Sequence, residues 1–273
     1  MENNIVYHYT TGEALSSILL TKTLWVTNSN FCNDPSEIKY VFDVLNELNQ
    51  EFGEHKNYDI FTNLLSQGVK IYDVLLDKAP TYILSFCKDK DLLPMWKYYA
   101  CSTGYNIGFD VKLLYQNLKK IKGINPTKAV DVHYSKIEQE LLKNVLEPSV
   151  SIVKDDNTPQ KNKNFFQTFL TFLFPTAWFI KHPAYADEKE SRMMILADLK
   201  EEENYEKLVN NRITLKGSWI EYLKIPFDPK CIKSIMCSPQ TSDLQLYALK
   251  KFLKHNGYGN VVVDRSKIPY REL

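Results

Sequence analysis

The sequence lacks the short motifs by which several common enzyme classes are identified. It has no Gly-x-x-x-x-Gly-Lys loop, no Gly-x-Gly-x-x-Gly run and no Gly-x-Ser-x-Gly elbow. P-loop enzymes, dinucleotide-fold enzymes and serine hydrolases of the usual kinds are therefore not indicated. No Cys-x-x-Cys and no His-x-x-x-His spacing occurs, so a zinc site of the usual kind is not indicated either and we expect no metal.

An excess of charge of either sign is also absent. The chain has 34 basic and 33 acidic residues and a formal net charge of +1. Such a balance gives the whole chain no strong attraction to nucleic acid or to anionic lipid. A local basic patch is still compatible with this total, because a balanced sum hides local asymmetry.

Signals for secretion and for membrane insertion are missing as well. The first residues, Met1 to Asn4, lack the basic and apolar regions of a signal peptide. The longest apolar stretch, Phe165 to Ile180, contains five polar or proline residues, so we interpret it as a buried helix and expect no membrane partner. Five scattered cysteines, an odd number, favour reduced thiols in a cytoplasmic protein.

The order of predicted elements favours an α+β fold in a single domain spanning residues 1–273. Strands are predicted at 5–9, 23–27, 81–87, 104–110, 129–134, 193–196, 219–225, 231–237 and 260–264. A helix capped by Thr10 or Thr11 is predicted after the first strand, with Leu15, Ile18 and Leu19 on its apolar side. Further helices are predicted at about 35–52, 58–76, 93–100, 111–121, 136–153 and 241–255. The two types mix without regular βαβ alternation, which argues against a doubly wound sheet. Residues from about 136 to 180 are expected to form a helical insertion, with a polar loop at 154–164.

The first candidate site is the end of the first strand, Tyr7-His8-Tyr9-Thr10. Since side chains alternate along a strand, His8 and Thr10 point to one face and the two tyrosines to the other. An imidazole at a strand end can bond ligand hydroxyls. A structural histidine bonded to a nearby carbonyl explains the same residue.

The second candidate is Asn33-Asp34-Pro35-Ser36-Glu37. Asp34 as N-cap, Pro35 in the first turn and Glu37 as its capping partner explain this run as a helix start. The same arrangement presents a helix N-terminus to a ligand.

The third candidate is the run from Leu93 to Ala100, followed by Gly104 to Phe109. Trp96 and Tyr99 lie three residues apart and share a helix face, which core packing also explains. Gly104 and Gly108 allow the backbone to approach closely, and Tyr105 could stack on a planar ring.

The fourth candidate is the charged run from Tyr185 to Arg192, before the apolar residues Met193 to Leu196. If the strand begins early, Glu188, Glu190 and Arg192 lie on one face. Arg192 is then expected to pair with one carboxylate and to hold it ionised. A solvated charge run at a strand start is the alternative.

The order of these motifs resembles a bacterial family catalogued as domain of unknown function 2971. The resemblance rests on His-Tyr-Thr, Leu24-Trp25, Asn-Asp-Pro-x-Glu, Ser-Phe-Cys at Ser85 to Cys87, Leu-Pro-Met-Trp-x-x-Tyr-Ala, Gly-Tyr-x-Ile-Gly-Phe-Asp, Glu-x-Glu-x-Arg and the tail Ser266 to Arg271. That family is in turn similar to ADP-ribosyltransferases. The resemblance implies an ADP-ribosyltransferase-like split β-sheet and NAD as cofactor.

The resemblance also implies roles for individual residues. Glu190 would be the catalytic carboxylate, Glu188 would orient the acceptor and His8 would contact a ribose of NAD. Tyr105 or Tyr99 would stack on nicotinamide. The residues expected to bind NAD are His8, Tyr9, Thr10, Asn33, Asp34, Trp96, Tyr99, Tyr105 and Arg192.

This interpretation gives the chain a bacterial NAD-consuming role, by analogy in phage defence or as a toxin. The sequence does not identify the acceptor, which can be water, protein or nucleic acid. A carboxylate beside the ribose would stabilise the oxocarbenium-like transition state. Glu190→Gln is therefore expected to abolish NAD turnover and to leave folding intact, and we expect His8, Tyr105 and Glu190 to meet around one sugar ring.

Three other functions are open at the sequence level. Asp187-Glu188-Lys189 contains an Asp-x-Lys of the kind found in Mg²⁺-dependent nucleases. Exposed aromatics beside Lys97, Lys119, Lys120 and Lys122 suit a non-catalytic RNA- or ligand-binding module. A purely structural domain would bind no ligand.

Overall fold

The structure of the chain is a computed structural model. It describes residues 4–34, 40–51, 81–135, 137–141, 167, 171–173, 176–198, 206–213 and 217–270. The chain divides into two compact units, of which the first comprises Met1–Phe31, Thr81–Asp131 and Asp187–Leu273 and the second Cys32–Pro80 and Val132–Ala186.

All eleven strands of the described sheet belong to the first unit. They are β1 Ile5–Thr10, β2 Thr23–Asn28, β3 Thr81–Cys87, β4 Tyr105–Asp110, β5 Ile124–Pro126, β6 Val130–Asp131, β7 Glu190–Ala197, β8 Val209–Ile213, β9 Trp219–Pro226, β10 Ile232–Cys237 and β11 Val262–Arg265. The helices are α1 Gly12–Thr21, α2 Tyr40–Glu51, α3 Leu93–Tyr98, α4 Val111–Leu118, α5 Ile137–Leu141 and α6 Asp243–His255. The protein is thus a mixed α+β protein.

The sheet is open and mostly antiparallel. Its main path runs β11-β10-β4-β1-β3-β2-β9-β8, and β7 pairs with β3, β5 and β6 beside that path. The pair of β10 with β11 is parallel, and the other strand pairs are antiparallel.

The sheet divides at one edge of β3. Strand β7 pairs with β3 along its whole length, from Thr81 to Cys87. The opposite edge of β3 is shared by two strands, because β2 pairs at Tyr82 and Ile83 and β1 pairs at Cys87. In the described sheet, residues 84–86 therefore have no strand beside them on that edge, and α1 connects the two diverging strands.

Register assigns the side chains of the central strands to two faces. The apolar face carries Val6, Phe86, Ile107 and Ile235, which are all buried in one large hydrophobic cluster. The opposite face, here called the ion-pair face, carries Tyr9, Cys87, Glu190 and Arg192. Cys87 lies opposite both Tyr7 and Glu190, and Tyr9 and Arg192 each lie two residues further along the same strands. Both faces of β3 and β7 are largely buried, which explains why these strands lack a simple alternation of apolar and polar residues.

Two helices of this unit begin behind a side-chain cap. For α1 the cap was predicted at Thr10 or Thr11, and α6 begins at Asp243, two residues after its predicted start. Thr11 caps α1 by accepting a hydrogen bond from the Ala14 amide at 3.3 Å, and Leu15, Ile18 and Leu19 are buried. Ser242 caps α6 in a capping box with Gln245. Side-chain acceptors satisfy N–H groups that a helix start would otherwise leave unpaired.

The second unit is described only in part. Its helices α2 and α5 pack on each other, and the rings of Tyr40 and His182 meet edge to face at 5.1 Å. Most of the expected insertion at 136–180, the polar loop at 154–164 and the predicted helix at 58–76 lie outside the described residues.

Some strand predictions were wrong at their boundaries. Strand β7 begins at Glu190, three residues before the predicted start, and β6 covers only Val130–Asp131 of the predicted strand at 129–134. Strands β5 and β8 were not predicted. Within the described part of the chain, no helix has the length and apolar character that crossing a bilayer requires.

Candidate functional site

A buried ion pair dominates the ion-pair face. Arg192 Nε donates to Glu190 Oε1 at 2.7 Å, and Arg192 Nη2 donates to Glu190 Oε2 at 2.9 Å. Arg192 is only 1% exposed and Glu190 only 5%. The sequence prediction that Arg192 pairs with one carboxylate is confirmed, and the bidentate geometry is the strongest form of such a pair.

An opening lies beside this pair, at the point where the sheet divides. Ser85 is exposed, although Leu84 and Phe86 on either side are buried. Ser85 lies directly opposite Arg192 in the register of β3 and β7. Solvent therefore reaches the ion-pair face in the middle of the sheet, at the residue of β3 that pairs with Arg192.

Glu188 does not share a strand with Glu190. It ends a 3₁₀ turn, Pro183–Glu188, and Lys189 follows with a φ of 45°. This left-handed residue interrupts the extended backbone before β7. The strand begins early, at Glu190, but not early enough to include Glu188, so only Glu190 and Arg192 share a strand face. Glu188 is half-buried and accepts a 2.5 Å hydrogen bond from the Tyr99 hydroxyl.

The loop after β3 is fixed by residues that the sequence assigned to the ligand. The Tyr9 hydroxyl donates to the Asp89 carbonyl and accepts from the Leu92 amide, both at 3.0 Å. The Trp96 indole donates to Asp91 at 2.7 Å, and Ser266 donates to the same carboxylate oxygen at 2.7 Å. In this structure, the polar groups of Tyr9 and Trp96 therefore bond to residues 89–92 of this loop rather than to a ligand.

His8 lies at the division of the sheet and has a structural partner. Its Nδ1 lies 3.2 Å from the Ser85 carbonyl, which has no strand partner on that edge. Its ring packs edge to face on Phe86 at 6.3 Å. Desolvation by burial lowers the pKa of His8, and the bond to the Ser85 carbonyl opposes that shift. The structural alternative for His8 therefore has direct support.

Tyr105 and Thr10 lie on the same face as His8. Thr10 is opposite Tyr105 in the register of β1 and β4, two residues from His8. Glu190 lies on the other face, because it is opposite Cys87 and Cys87 is opposite Tyr7. The expected meeting of His8, Tyr105 and Glu190 around one sugar ring is therefore not found, since neighbouring residues on a strand point to opposite faces.

Gly104 and Gly108 do allow close approach, as predicted. A Cβ on Gly104 would lie 2.2 Å from the Thr10 carbonyl oxygen and 2.5 Å from that of Ala100. A Cβ on Gly108 would lie 2.3 Å from Ser234 Oγ. The approach to Gly104 is by backbone, so this position cannot accept a side chain without movement of the turn before β4.

Asn33 and Asp34 belong to the second unit. Asn33 is exposed and Asp34 is buried at 4%. The predicted helix start at Pro35 to Glu37 lies outside the described residues.

The buried thiols are poorly suited to act as nucleophiles. Burial raises the pKa of Cys87, Cys231 and Cys237 to about 11 in each case. A thiol is nucleophilic as the thiolate, so these groups are held in their unreactive form near neutral pH. Among the residues that the structure describes, no three His, Cys, Asp or Glu side chains are grouped so that they could hold a metal ion.

Sequence reasoning missed Ser85 and Asp91. Ser85 was recognised only as part of the Ser-Phe-Cys motif, although a serine between buried apolar residues of a strand is a signal for the opposite face. Asp91 stands in the charged run Lys88 to Asp91, and no spacing rule connects it to Trp96 and Ser266. Asp91 accepts from both residues only because the fold brings Ser266, near the C-terminal end of the chain, to the loop after β3.

A family model described as "Protein of unknown function (DUF2971)" matches residues 95–193. The match supports the resemblance to this family over that range, which includes Tyr99, Glu188, Glu190 and Arg192 but neither His8 nor Ser85. No curated protein and no solved structure matches the chain significantly.

Proposed function

We propose that the protein is an ADP-ribosyltransferase-like enzyme that cleaves the nicotinamide–ribose bond of NAD at the ion-pair face. The observation that carries the proposal is the opening at Ser85, beside the buried pair of Glu190 and Arg192. A division of the sheet next to a fixed carboxylate is what the family resemblance leads one to expect. His8 is not part of this site.

The geometry favours a different distribution of roles between the two glutamates. Both oxygens of Glu190 already accept from Arg192, and the side chain is almost fully buried. Glu188 is half-buried and accepts from Tyr99. We therefore assign Glu188 as the carboxylate that meets the ribose, with Tyr99 fixing its orientation and Glu190 supporting the start of β7.

The chemistry follows from charge. As the bond to nicotinamide breaks, its electron pair leaves with nicotinamide and positive charge develops on the ribose. The Glu188 carboxylate stabilises this charge more strongly in the transition state than in bound NAD. Water then attacks the anomeric carbon and loses a proton, which yields ADP-ribose; an acceptor nucleophile would take the same position.

The test is the release of nicotinamide from NAD by the purified protein, followed by chromatography. Glu188→Gln should reduce the rate at least about 100-fold, because the amide carries no charge to stabilise the ribose cation. Tyr99→Phe should cause a smaller loss, since it removes the hydroxyl that donates to Glu188 and leaves the carboxylate in place. His8→Asn should keep the rate within about twofold, because His8 lies on the other face.

Controls separate loss of chemistry from loss of fold. Urea midpoints of Glu188→Gln and Tyr99→Phe should stay near that of the unmodified protein, as both positions are only half-buried. Full activity in Glu188→Gln would remove Glu188 from the mechanism. Binding of NAD without turnover would favour a ligand-binding module, and neither binding nor turnover would exclude NAD chemistry.

A further inference from the structure

A groove on the first unit is separate from the ion-pair face. It lies between α1 and α6, over Tyr105, is open to solvent and has a volume of about 310 Å³. This volume is at the lower end of the range of small-molecule sites, about 300–1,000 Å³. Tyr105 is on the same face as His8 and opposite to that of Glu190, so the groove and the proposed catalytic site are on different faces of the sheet.

The walls of the groove are apolar. Leu15 contributes from α1, and Ala248, Leu249 and Phe252 contribute from one side of α6. The half-buried ring of Tyr105 adds an aromatic surface. Such walls favour a ring that can stack and can release water from its faces.

Gly12 leaves space beside this ring. A Cβ at Gly12 would lie 3.3 Å from Cε2 of Tyr105, closer than an unstrained contact. Gly12 is the first residue of α1 and has a helix cap, Thr11, before it. Glycine stabilises a helix less than alanine does, so its presence here is better explained by the open space than by the helix.

Three polar groups at the groove are not used by the rest of the described chain. The hydroxyls of Ser16 and Tyr105 have no hydrogen-bond partner among the described residues. Gln245 Oε1 accepts from the Ser242 amide at 2.8 Å, which leaves the Nε2 group of Gln245 as a donor. Burial raises the pKa of Tyr105, so its hydroxyl also keeps its proton.

None of the residues that line the groove is charged. A charged ligand would therefore lose hydration without gaining an opposite charge, which is costly. A neutral ring with its own hydrogen-bonding edge would satisfy the free donors and the apolar walls together.

From these observations we propose that the groove between α1 and α6 binds a small, neutral, planar heteroaromatic molecule of one or two rings. The ring would lie against Tyr105, and its edge would bond to Ser16 and to the Gln245 amide. The site is independent of the proposed NAD chemistry.

The experiment is a titration of the full chain with adenine, read by ligand-observed NMR. Saturable binding is expected. Ala248→Trp should weaken it at least about tenfold, because an indole at this exposed position fills the groove. Lys254→Trp is the matched control: it adds the same bulk to α6 outside the groove and should change binding less than about twofold.

Gln245→Glu tests the amide donor separately from the helix cap. The carboxylate can still accept from Ser242, so α6 keeps its start, but the Nε2 donor is lost. Binding of adenine should weaken roughly three- to tenfold, the effect of one hydrogen bond. Urea midpoints verify that each variant is folded.

Isonicotinamide and isonicotinate test the requirement for neutrality, because they differ chiefly in charge near neutral pH. The amide should bind and the carboxylate should bind at least about tenfold more weakly. Equal binding of the two, unchanged binding in Ala248→Trp, or no saturable binding of adenine up to on the order of 10 mM would each overturn the proposal. NAD turnover does not enter these measurements, so the two proposals can fail separately.

Discussion

Both faces of the central sheet carry buried side chains, but the two sets of side chains differ in chemistry. On the apolar face, Phe86, Ile107 and Ile235 are at most 2% exposed and pack in a large hydrophobic cluster. On the ion-pair face, Glu190 and Arg192 are buried to a similar degree. Tyr9 and Cys87 on the ion-pair face also belong to a smaller hydrophobic cluster. The comparison teaches that burial alone does not identify an apolar layer in this protein, because one buried face is lined by apolar side chains and the other combines apolar side chains with a matched ion pair.

The largest expected loss of stability comes from removing one partner of the buried ion pair. Arg192→Met keeps much of the side-chain volume but leaves the Glu190 carboxylate buried without its guanidinium partner. Loss of one member of a buried ion pair costs about 3–5 kcal/mol of unfolding free energy. Urea denaturation of the purified variant measures this loss.

The double variant Glu190→Leu/Arg192→Met sharpens the comparison. Replacing a whole buried pair by apolar residues is often close to neutral, so the second substitution should recover much of the stability. If the double variant is less stable than Arg192→Met alone, packing rather than charge governs this face, and the contrast between the two faces fails.

On the apolar face, a second substitution should lower the stability further instead of restoring it. Ile107→Ala is expected to cost about 2–5 kcal/mol through lost burial and the cavity that remains. Ile235 lies directly opposite Ile107 in the register of β4 and β10. Adding Ile235→Ala should lower the urea midpoint further, since two truncations enlarge one cavity. Recovery in this double variant would contradict the assignment of Ile107 and Ile235 to a volume-dependent layer.

Much of the local structure could be predicted from the sequence. Strands β1 and β3 were predicted within one residue of their observed bounds. The buried residues of α1, Leu15, Ile18 and Leu19, were also predicted. A cap at Thr11 and the apolar periodicity of α1 are local signals, and they are independent of the rest of the chain. Strand β8 was missed because its residues Asn210 to Arg212 are polar and half-buried or exposed at the edge of the sheet.

The site could be predicted only in part, because its geometry depends on register. The pairing of Glu190 with Arg192 follows from a spacing of two on one strand. The face on which Glu190 lies relative to His8 depends on two long-range pairings, Tyr7 with Cys87 and Cys87 with Glu190. No local pattern encodes these pairings, and a shift of one residue would exchange the faces.

The smallest expected effect concerns His8, which lies where the sheet divides. His8→Asn keeps a side-chain amide that can donate to the Ser85 carbonyl, whereas His8→Ala removes the donor. The alanine variant should lose about 1 kcal/mol, the contribution of one hydrogen bond. Recovery of most of this loss in the asparagine variant would identify the bond, rather than the ring contact with Phe86, as the stabilising interaction.

The pH dependence of stability gives His8 a second, independent signature. Burial lowers the pKa of His8 below its ordinary value of 6.5, so below that pH the unfolded chain binds a proton that the folded protein does not. Stability should therefore fall as the pH decreases from 6.5 through the native pKa, and it should be fully present above 6.5. Urea unfolding across this range should give a shallower decline for His8→Asn than for the unmodified protein. Identical slopes would mean that the imidazole is as well hydrated in the folded protein as in the unfolded chain, and that the division of the sheet is open to water on both faces.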